Sequence, residues 1–342
     1  MDILYKLDHI EGKNLGCIAL KSIKTGTIIV QEKPVCYDGD QTKSKVDDVE
    51  GKNISCILKS YENMSKVDKL EYDKLYNRFQ NDKSSMNPKK WRENLLENNA
   101  TEELADGMVE VIGIYFSNTF LEGVGIKTSR FNHSCNANAE MKFNERLEKF
   151  EIIVNSKIKA GEEITINYNP TEISMKKFRT RQQLLFDGWD FKCMCNLCVE
   201  EGDSNNELYE KFAKLRQEAE ILGRDETNSW FHQLEKIKKE VSCYKKMYKL
   251  AKEKNASRGF ILTTILKHGF TAAAQGYLSS LNNVEGRVQN QEFRTDCEIF
   301  SIVGEKISIQ LLGQEDPITI EWKKRRHDFE AWISESRLFR NM

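Results

Sequence analysis

The sequence predicts an α+β chain: a β-rich body interrupted by a helical insert, closed by a cysteine-rich segment and followed by an all-helical C-terminal domain. Three observations predict it. Short β-branched runs punctuated by turns occur near the start and again between Gly123 and Tyr168. Between those runs, and again after Gly202, apolar residues recur at helical spacing. Finally, Cys193, Cys195 and Cys198 fall within six positions, close enough to serve one local site.

Taken in order, Leu15 to Leu20 and Thr27 to Val30 carry apolar and β-branched residues suited to a pleated surface, with Lys24-Thr25-Gly26 as the turn between. Asp38 to Lys52, charged and bearing Gly39 and Gly51, reads as a connection. Residues 53 to 118 read as mostly helical. Leu104, Met108, Val111, Ile112 and Tyr115 keep helix spacing despite Gly107 and Gly113, each of which weakens a helix relative to alanine. Lys149 to Val154 and Glu163 to Tyr168 are the clearest strands, joined across Lys159-Ala160-Gly161, and they place Tyr168 as a buried tyrosine at a strand end. Beyond Asn169-Pro170, a helix with Phe178, Arg181 and Leu185 on one side leads into the cysteines.

The rest reads as helical. Trp230, Leu234, Ile237, Val241, Tyr244, Tyr248 and Ala251 step by three and four, the seam of a helix packed on helices. Two more helices are expected over 259–281 and 293–312, and Pro317 opens a last one. The expected boundaries are 1–38 for the first part of the β-rich body, 39–109 for the insert, 110–191 for the core, 192–202 for the cysteine segment and 203–342 for the helical domain.

A chain of 342 residues has ample material for hydrophobic cores. Its formal net charge of -1 lacks the basic excess of a nucleic-acid binder, so no direct nucleic-acid contact is expected. The opening residues Met1-Asp2-Ile3-Leu4-Tyr5-Lys6 carry no apolar leader, and no run approaches membrane-spanning length. Cytoplasm or nucleus, no membrane contact and a monomer are the expectations. In a reducing compartment the nine cysteines are poor disulfide candidates.

Metal ligation suits the triplet better. Soft thiolates favour zinc, and a structural zinc site is a closed tetrahedron, so one structural zinc is expected with a fourth ligand from elsewhere. Cys17, Cys36, Cys56, Cys135, Cys243, Cys297 or a histidine could supply it. Cys135 is favoured because it would fasten the cysteine segment over Asn132 and His133. Buried free cysteines are common, but Lys192, Asn196, Glu200 and Glu201 give this triplet a charged, turn-like setting.

Three ordered motifs now combine: Asn132-His133-Ser134-Cys135, the strand ending Ile166-Asn167-Tyr168, and Phe191-x-Cys193-x-Cys195-x-x-Cys198. Together they resemble the core and post-SET segments of SET-domain lysine methyltransferases, and the helical tail is most similar to the SMYD branch. The resemblance covers about residues 7–36 and 110–200. It implies a knot-like β fold that binds S-adenosylmethionine on one face, releases S-adenosylhomocysteine, and admits a lysine of a protein substrate, a histone or another protein, from the other. By position, Lys13, Asn14 and Leu15 match the first cofactor loop and Asn118 a second contact. Ser129, Asn132 and His133 match the central cofactor loop, His133 through its backbone, and Phe191 the aromatic on the adenine. Tyr168 matches the catalytic tyrosine, whose hydroxyl contacts the cofactor and orients the amine in the lysine channel, and Cys135 the fourth zinc ligand. The chemistry agrees: displacement by a neutral amine needs no protein nucleophile, only desolvation and collinear alignment.

Departures sharpen the expectations. Between residues 18 and 134 only Cys36 and Cys56 are cysteines, and no histidine lies between 10 and 132, so the zinc finger usual in the SMYD branch is not expected. Asn14 stands where glycine is common, and asparagine tolerates the left-handed turn. Ala137 replaces a usual proline. Trp189 replaces a tyrosine beside the lysine channel, where its bulk is expected to narrow the channel and change how many methyl groups are added. Lys323-Lys324-Arg325-Arg326 reads as a solvated helix face rather than an import signal. Against the enzyme stands one alternative from another class, a SET-fold scaffold that binds partners without transferring methyl groups.

Overall fold

In a computed structural model the chain is described at residues 3–36, 48–49, 52–80, 88–97, 100–120, 123–169, 173–202, 207–224, 230–254, 256, 258–281, 287–329 and 331–332. Most of the expected connection Asp38 to Lys52 lies outside the described residues, as do Pro170 and the side chain of Trp230. The chain divides into two compact units, one of Met1–Ile166 with Gln182–Cys193, the other of Asn167–Arg181 with Met194–Met342.

The first unit is built on short strands. Tyr5–Ile10 (β1) and Asn14–Ala19 (β2) pair as an antiparallel hairpin with Ile10 opposite Asn14. Its reversal uses Gly12 at φ 73° and Asn14 at φ 65°, left-handed angles open to glycine and least costly for asparagine among other residues. Ile28–Glu32 (β3) follows, then a two-residue ribbon of Asp48–Val49 (β4) and Lys52–Asn53 (β5), and later Thr119–Phe120 (β6) against Gly123–Val124 (β7). Asn132–His133 (β8), Ala139–Asn144 (β9), Lys149–Val154 (β10) and Glu163–Ile166 (β11) complete the set. β10 lies between β3 and β9, and its Phe150, Ile152, Ile153 and Val154 are all buried.

The second sheet positions the site, in the order β1-β2-β11-β8. β11 runs parallel to β8, with Thr165 opposite Asn132 and Ile166 opposite His133. A hairpin cannot make a parallel pair, so the chain between them must cross over, here through β9 and β10. Asn138 extends the ladder, donating to the Glu163 carbonyl and accepting from Thr165 N–H, each at 2.9 Å. Sequence and structure part at its end. β11 stops at Ile166, because the Asn167 side chain accepts the Asn169 N–H at 3.1 Å and turns the backbone out of the ladder. Tyr168 is therefore half-buried beyond the strand rather than buried at its end.

The insert is helical as the spacing predicts: Ile54–Glu62 (α1), Lys66–Tyr72 (α2), Pro88–Glu97 (α3) and Glu102–Asn118 (α4). Ile57, Tyr72, Trp91, Ile112 and Tyr115 form its core, and the Tyr72 hydroxyl donates to the Val111 carbonyl at 3.0 Å. α4 runs straight through Gly113 for a packing reason. A Cβ there would sit 2.2 Å from Asn77 Oδ1 and 2.7 Å from the Phe79 ring, so only glycine lets segment 77–79 lie on the helix.

The second unit is helical. It holds Asn196–Glu201, Glu207–Arg224, Trp230–Glu253, and Arg258–Phe260 leading through a π-helical stretch, Ile261–Leu266, into Lys267–Leu281. Arg287–Leu312 and Pro317–His327 follow. Leu234, Ile237, Val241, Tyr244 and Ala251 are buried with Phe260, Phe270, Phe293, Phe300 and Trp322, so the seam read from spacing is the core. The basic run departs from expectation at Arg325, which is 5% exposed. Its guanidinium lies 4.4 Å from the Trp322 ring centre and 5.1 Å from those of Phe270 and Trp332, and it pairs with Glu321. A delocalised, weakly hydrated guanidinium can be buried on aromatic faces where an ammonium is poorly suited. Among the described residues no helix is long and apolar enough to cross a membrane.

One carboxylate makes this unit pH-sensitive. Burial pushes Glu240 up from its ordinary 4.5 to about 7, with Lys236 pulling the other way. A raised carboxyl pKa means the folded chain holds the proton more tightly than the unfolded chain. Its contribution is therefore present below about 4.5 and is lost as pH rises through 7. Thermal melts of Glu240→Gln should show the variant gaining on wild type from pH 5 to pH 8, by on the order of 1 kcal/mol after solvent screening. A difference that does not change with pH would refute this.

Candidate functional site

The site begins with one amide. Asn132, on β8, donates from Nδ2 to the Leu15 carbonyl at 3.0 Å and to Glu163 Oε1 at 2.9 Å. Both partners can only accept, so the orientation of the amide is fixed: Nδ2 faces them and Oδ1 faces away. The other oxygen of Glu163 takes Lys13 Nζ at 2.5 Å. Three distant segments thus meet, the β1–β2 turn, β8 and β11. Gly16 makes the meeting possible, because a Cβ there would stand 2.6 Å from Asn132 Nδ2 and 2.7 Å from Ile10 Cγ1. Of the first-loop residues, Lys13 is half-buried in its ion pair, while Asn14 and Leu15 are exposed.

Asn118 and Ser129 form a strut. Asn118 Nδ2 donates to the Ile114 and Tyr76 carbonyls, each at 2.7 Å, which caps the last turn of α4 and ties it to the segment before residue 78. Its own carbonyl accepts the Ser129 hydroxyl at 3.2 Å. His133 is buried, its Nε2 lies 3.4 Å from Cys135 Sγ, and its ring packs 6.0 Å from that of Phe191. The imidazole therefore joins the aromatic to the cysteine site, a side-chain role beyond the backbone role expected. Trp189 ends the helix Phe178–Trp189 and is half-buried.

The sulfurs of Cys135, Cys193, Cys195 and Cys198 all lie within 4.8 Å of one another, with Cys135 half-buried and the others buried. A zinc tetrahedron with bonds of about 2.3 Å has sulfur–sulfur edges of about 3.8 Å. The Cys135–Cys193 distance is 3.9 Å and no pair exceeds 4.8 Å, so shortening the longest edges by at most about 1 Å would seat the ion. The surroundings suit four thiolates. Arg181, 1% exposed, places Nη2 3.8 Å from Cys198 Sγ, and His133 Nε2 approaches Cys135. Gln182 clamps the Cys193 peptide from both sides, accepting its N–H and donating to its carbonyl, each at 2.9 Å. Such outer partners orient ligands and tune the metal. Of the other sulfurs, Cys17 donates to the Arg130 carbonyl and Cys36 to the Ile57 carbonyl.

Sequence reasoning gave no site role to Glu163, Gly16, Arg181 or Gln182. Glu163 meets Lys13 150 residues away and Gly16 meets Asn132 through the crossover, whereas Arg181 and Gln182 meet Cys198 and Cys193, 17 and 11 positions on, through the turn after their helix. Only Gly16 carried a signal, a glycine within a strand marking close approach.

Residues 14–169 match the SET domain family. The chain is 28% identical over 205 residues to the histone-lysine N-methyltransferase set5 of Schizosaccharomyces pombe, covering 58% of this chain and 51% of that protein. It thus spans about half the length of that relative. It is also 28% identical over 231 residues to a SET domain-containing protein, L678, of Acanthamoeba polyphaga mimivirus, covering 60% of this chain and 81% of that one. The protein-lysine N-trimethyltransferase SMYD5 of Mus musculus is 33% identical over 91 residues, 27% of this chain and 22% of that protein. The stretch that matches the SET domain family runs from β2 to just past β11 in the chain, and a largely helical region follows it.

Proposed function

We propose that this protein is an S-adenosylmethionine-dependent protein-lysine N-methyltransferase of SMYD-like organisation. The observation that carries the reading is the fixed amide of Asn132. Its donor atom is held by Leu15 and Glu163, so its oxygen is left to accept an ammonium, the group that an amino-acid cofactor brings. The SET match and the names of the relatives supply the reaction class.

When bound, S-adenosylmethionine supplies an electrophilic methyl group. The residues that would hold it are the backbone of Lys13, Asn14 and Leu15, the strut of Asn118 and Ser129, Asn132, His133 and the ring of Phe191. Tyr168 acts on the lysine side. Its hydroxyl orients the deprotonated amine without adding a fixed charge, and Trp189 narrows the channel through which the amine arrives. A zinc held by Cys135, Cys193, Cys195 and Cys198 would be structural and would take no part in transfer.

Two measurements test this. S-adenosylhomocysteine should raise the melting temperature, and the rise should keep growing with the logarithm of its concentration above Kd, because it binds the folded chain alone. Transfer of labelled methyl to histones or lysate proteins should fall at least ~100-fold in Tyr168→Phe, with S-adenosylhomocysteine affinity within threefold of wild type, as befits loss of alignment rather than of binding. Binding without transfer in the wild type would instead establish the scaffold.

A further inference from the structure

Outside the cofactor-contacting set lies a buried ion pair that the reaction itself does not require. Arg78 belongs to the short 3-10 turn Arg78–Gln80 of the insert, and Asp190 follows the helix Phe178–Trp189. Their side chains are 7% and 0% exposed. Arg78 Nε and Nη2 each lie 2.8 Å from Asp190 Oδ2, and Nη1 donates to the Gly188 carbonyl at 3.0 Å. The guanidinium thus grips the residues on both sides of Trp189, and the residue before Phe191.

Both ends of the grip are themselves held. Arg78 N–H donates to Ser117 Oγ at 2.8 Å, and that hydroxyl donates to the Gly113 carbonyl at 2.6 Å. The neighbouring Tyr76 carbonyl takes Asn118 Nδ2. The insert therefore reaches residues 188–190 from the same helix end that carries the Asn118 strut. At the other end, Asp190 has φ 58°, and its N–H closes on the Phe186 carbonyl at 2.8 Å. That is the left-handed turn that ends a helix, where glycine is the usual residue. Glycine would relax the backbone but lose the carboxylate. A strained aspartate at this position is explained by the partner its side chain meets.

We infer that Arg78 and Asp190 form a positioning clamp by which the helical insert sets the orientation of Trp189 and Phe191. The inference rests on the methyltransferase reading, in which Phe191 packs on the adenine and Trp189 borders the lysine channel. It assigns the insert a function: it fixes the two aromatic residues between which cofactor and substrate sites are divided. Arg78 touches neither ligand in this account and acts through the turn at Asp190.

Removing one partner would strand the other as a buried charge and confuse unfolding with misplacement. The test is therefore the double variant Arg78→Met with Asp190→Gly, which removes both charges and suits the left-handed turn. Amide exchange over residues 188–193 and S-adenosylhomocysteine affinity by calorimetry are compared with wild type. Expected are a melting temperature close to wild type, exchange over 188–193 at least tenfold faster, and affinity about tenfold weaker. Unchanged exchange overturns the clamp. So does faster exchange with unchanged affinity, since a pair serving stability alone would leave binding intact once stability is restored. A wild-type chain that binds no S-adenosylhomocysteine overturns the methyltransferase reading and this inference with it. A wild type that binds, matched equally by the double variant, overturns the inference alone.

Discussion

Stripping the metal from the four-cysteine site is expected to lower the melting temperature by on the order of 10 °C and to free the segment around residues 191–202. The reason is geometric. Four sulfurs within 4.8 Å, three of them buried, are brought together at the junction of two local runs, and they have no disulfide to hold them. As thiolates without an ion they repel one another; as thiols they give up the strongest bonds available to them. Binding energy for such an ion is folding energy, because the unfolded chain offers no preformed site. Elemental analysis should find one zinc per chain, and a strong chelator should release it together with protection of the Phe191 to Gly202 amides. Cys135→Ser should act in the same direction as Cys193→Ser, although it lies 58 residues away. A purified chain without stoichiometric zinc would sink the claim. So would Cys135→Ser with wild-type zinc content and stability.

How much of this could be read beforehand differs by element, and the differences have causes. The cysteine triplet was legible because its ligands are local: spacing alone brings three sulfurs within reach. The seam from Leu234 to Ala251 was legible because a helix buried along one face writes its period into the chain. The end of β11 was not, since an Asx turn at Asn167 depends on one side chain choosing the backbone of Asn169 over the ladder. Arg325 was misplaced for a similar reason. A basic run reads as solvated until aromatic rings from other segments, Phe270 and Trp332, are known to close over it. The Arg78–Asp190 pair was invisible altogether, because nothing about an arginine at 78 names a partner 112 positions on. Type and period are written locally, whereas long-range polar pairing is written by topology.

The crossover also makes the second large prediction. Gly16→Ala is expected to weaken S-adenosylhomocysteine binding by at least ~30-fold, while costing about 1–3 kcal/mol of stability, the usual penalty for one methyl too many in a packed site. The added Cβ would stand 2.6 Å from Asn132 Nδ2, 2.7 Å from Ile10 Cγ1 and 3.1 Å from Glu163 Oε1. The backbone of Ile10 is held in the β1–β2 ladder opposite Asn14, so its Cγ1 can yield only by rotation about the Cα–Cβ bond, which β-branching restricts. The side chain free to move is Asn132. Its movement breaks the contacts to Leu15 and Glu163 that fix which way its oxygen points. The effect on binding should therefore exceed what the loss of stability explains. Calorimetric titration beside thermal melts separates the two. The control is Gly107→Ala on α4, where a Cβ meets nothing within 4 Å and binding should be unchanged. If Gly16→Ala binds the product as tightly as the Gly107→Ala chain does, the amide of Asn132 is not what recognises the cofactor, and the reading built on it fails at its first step.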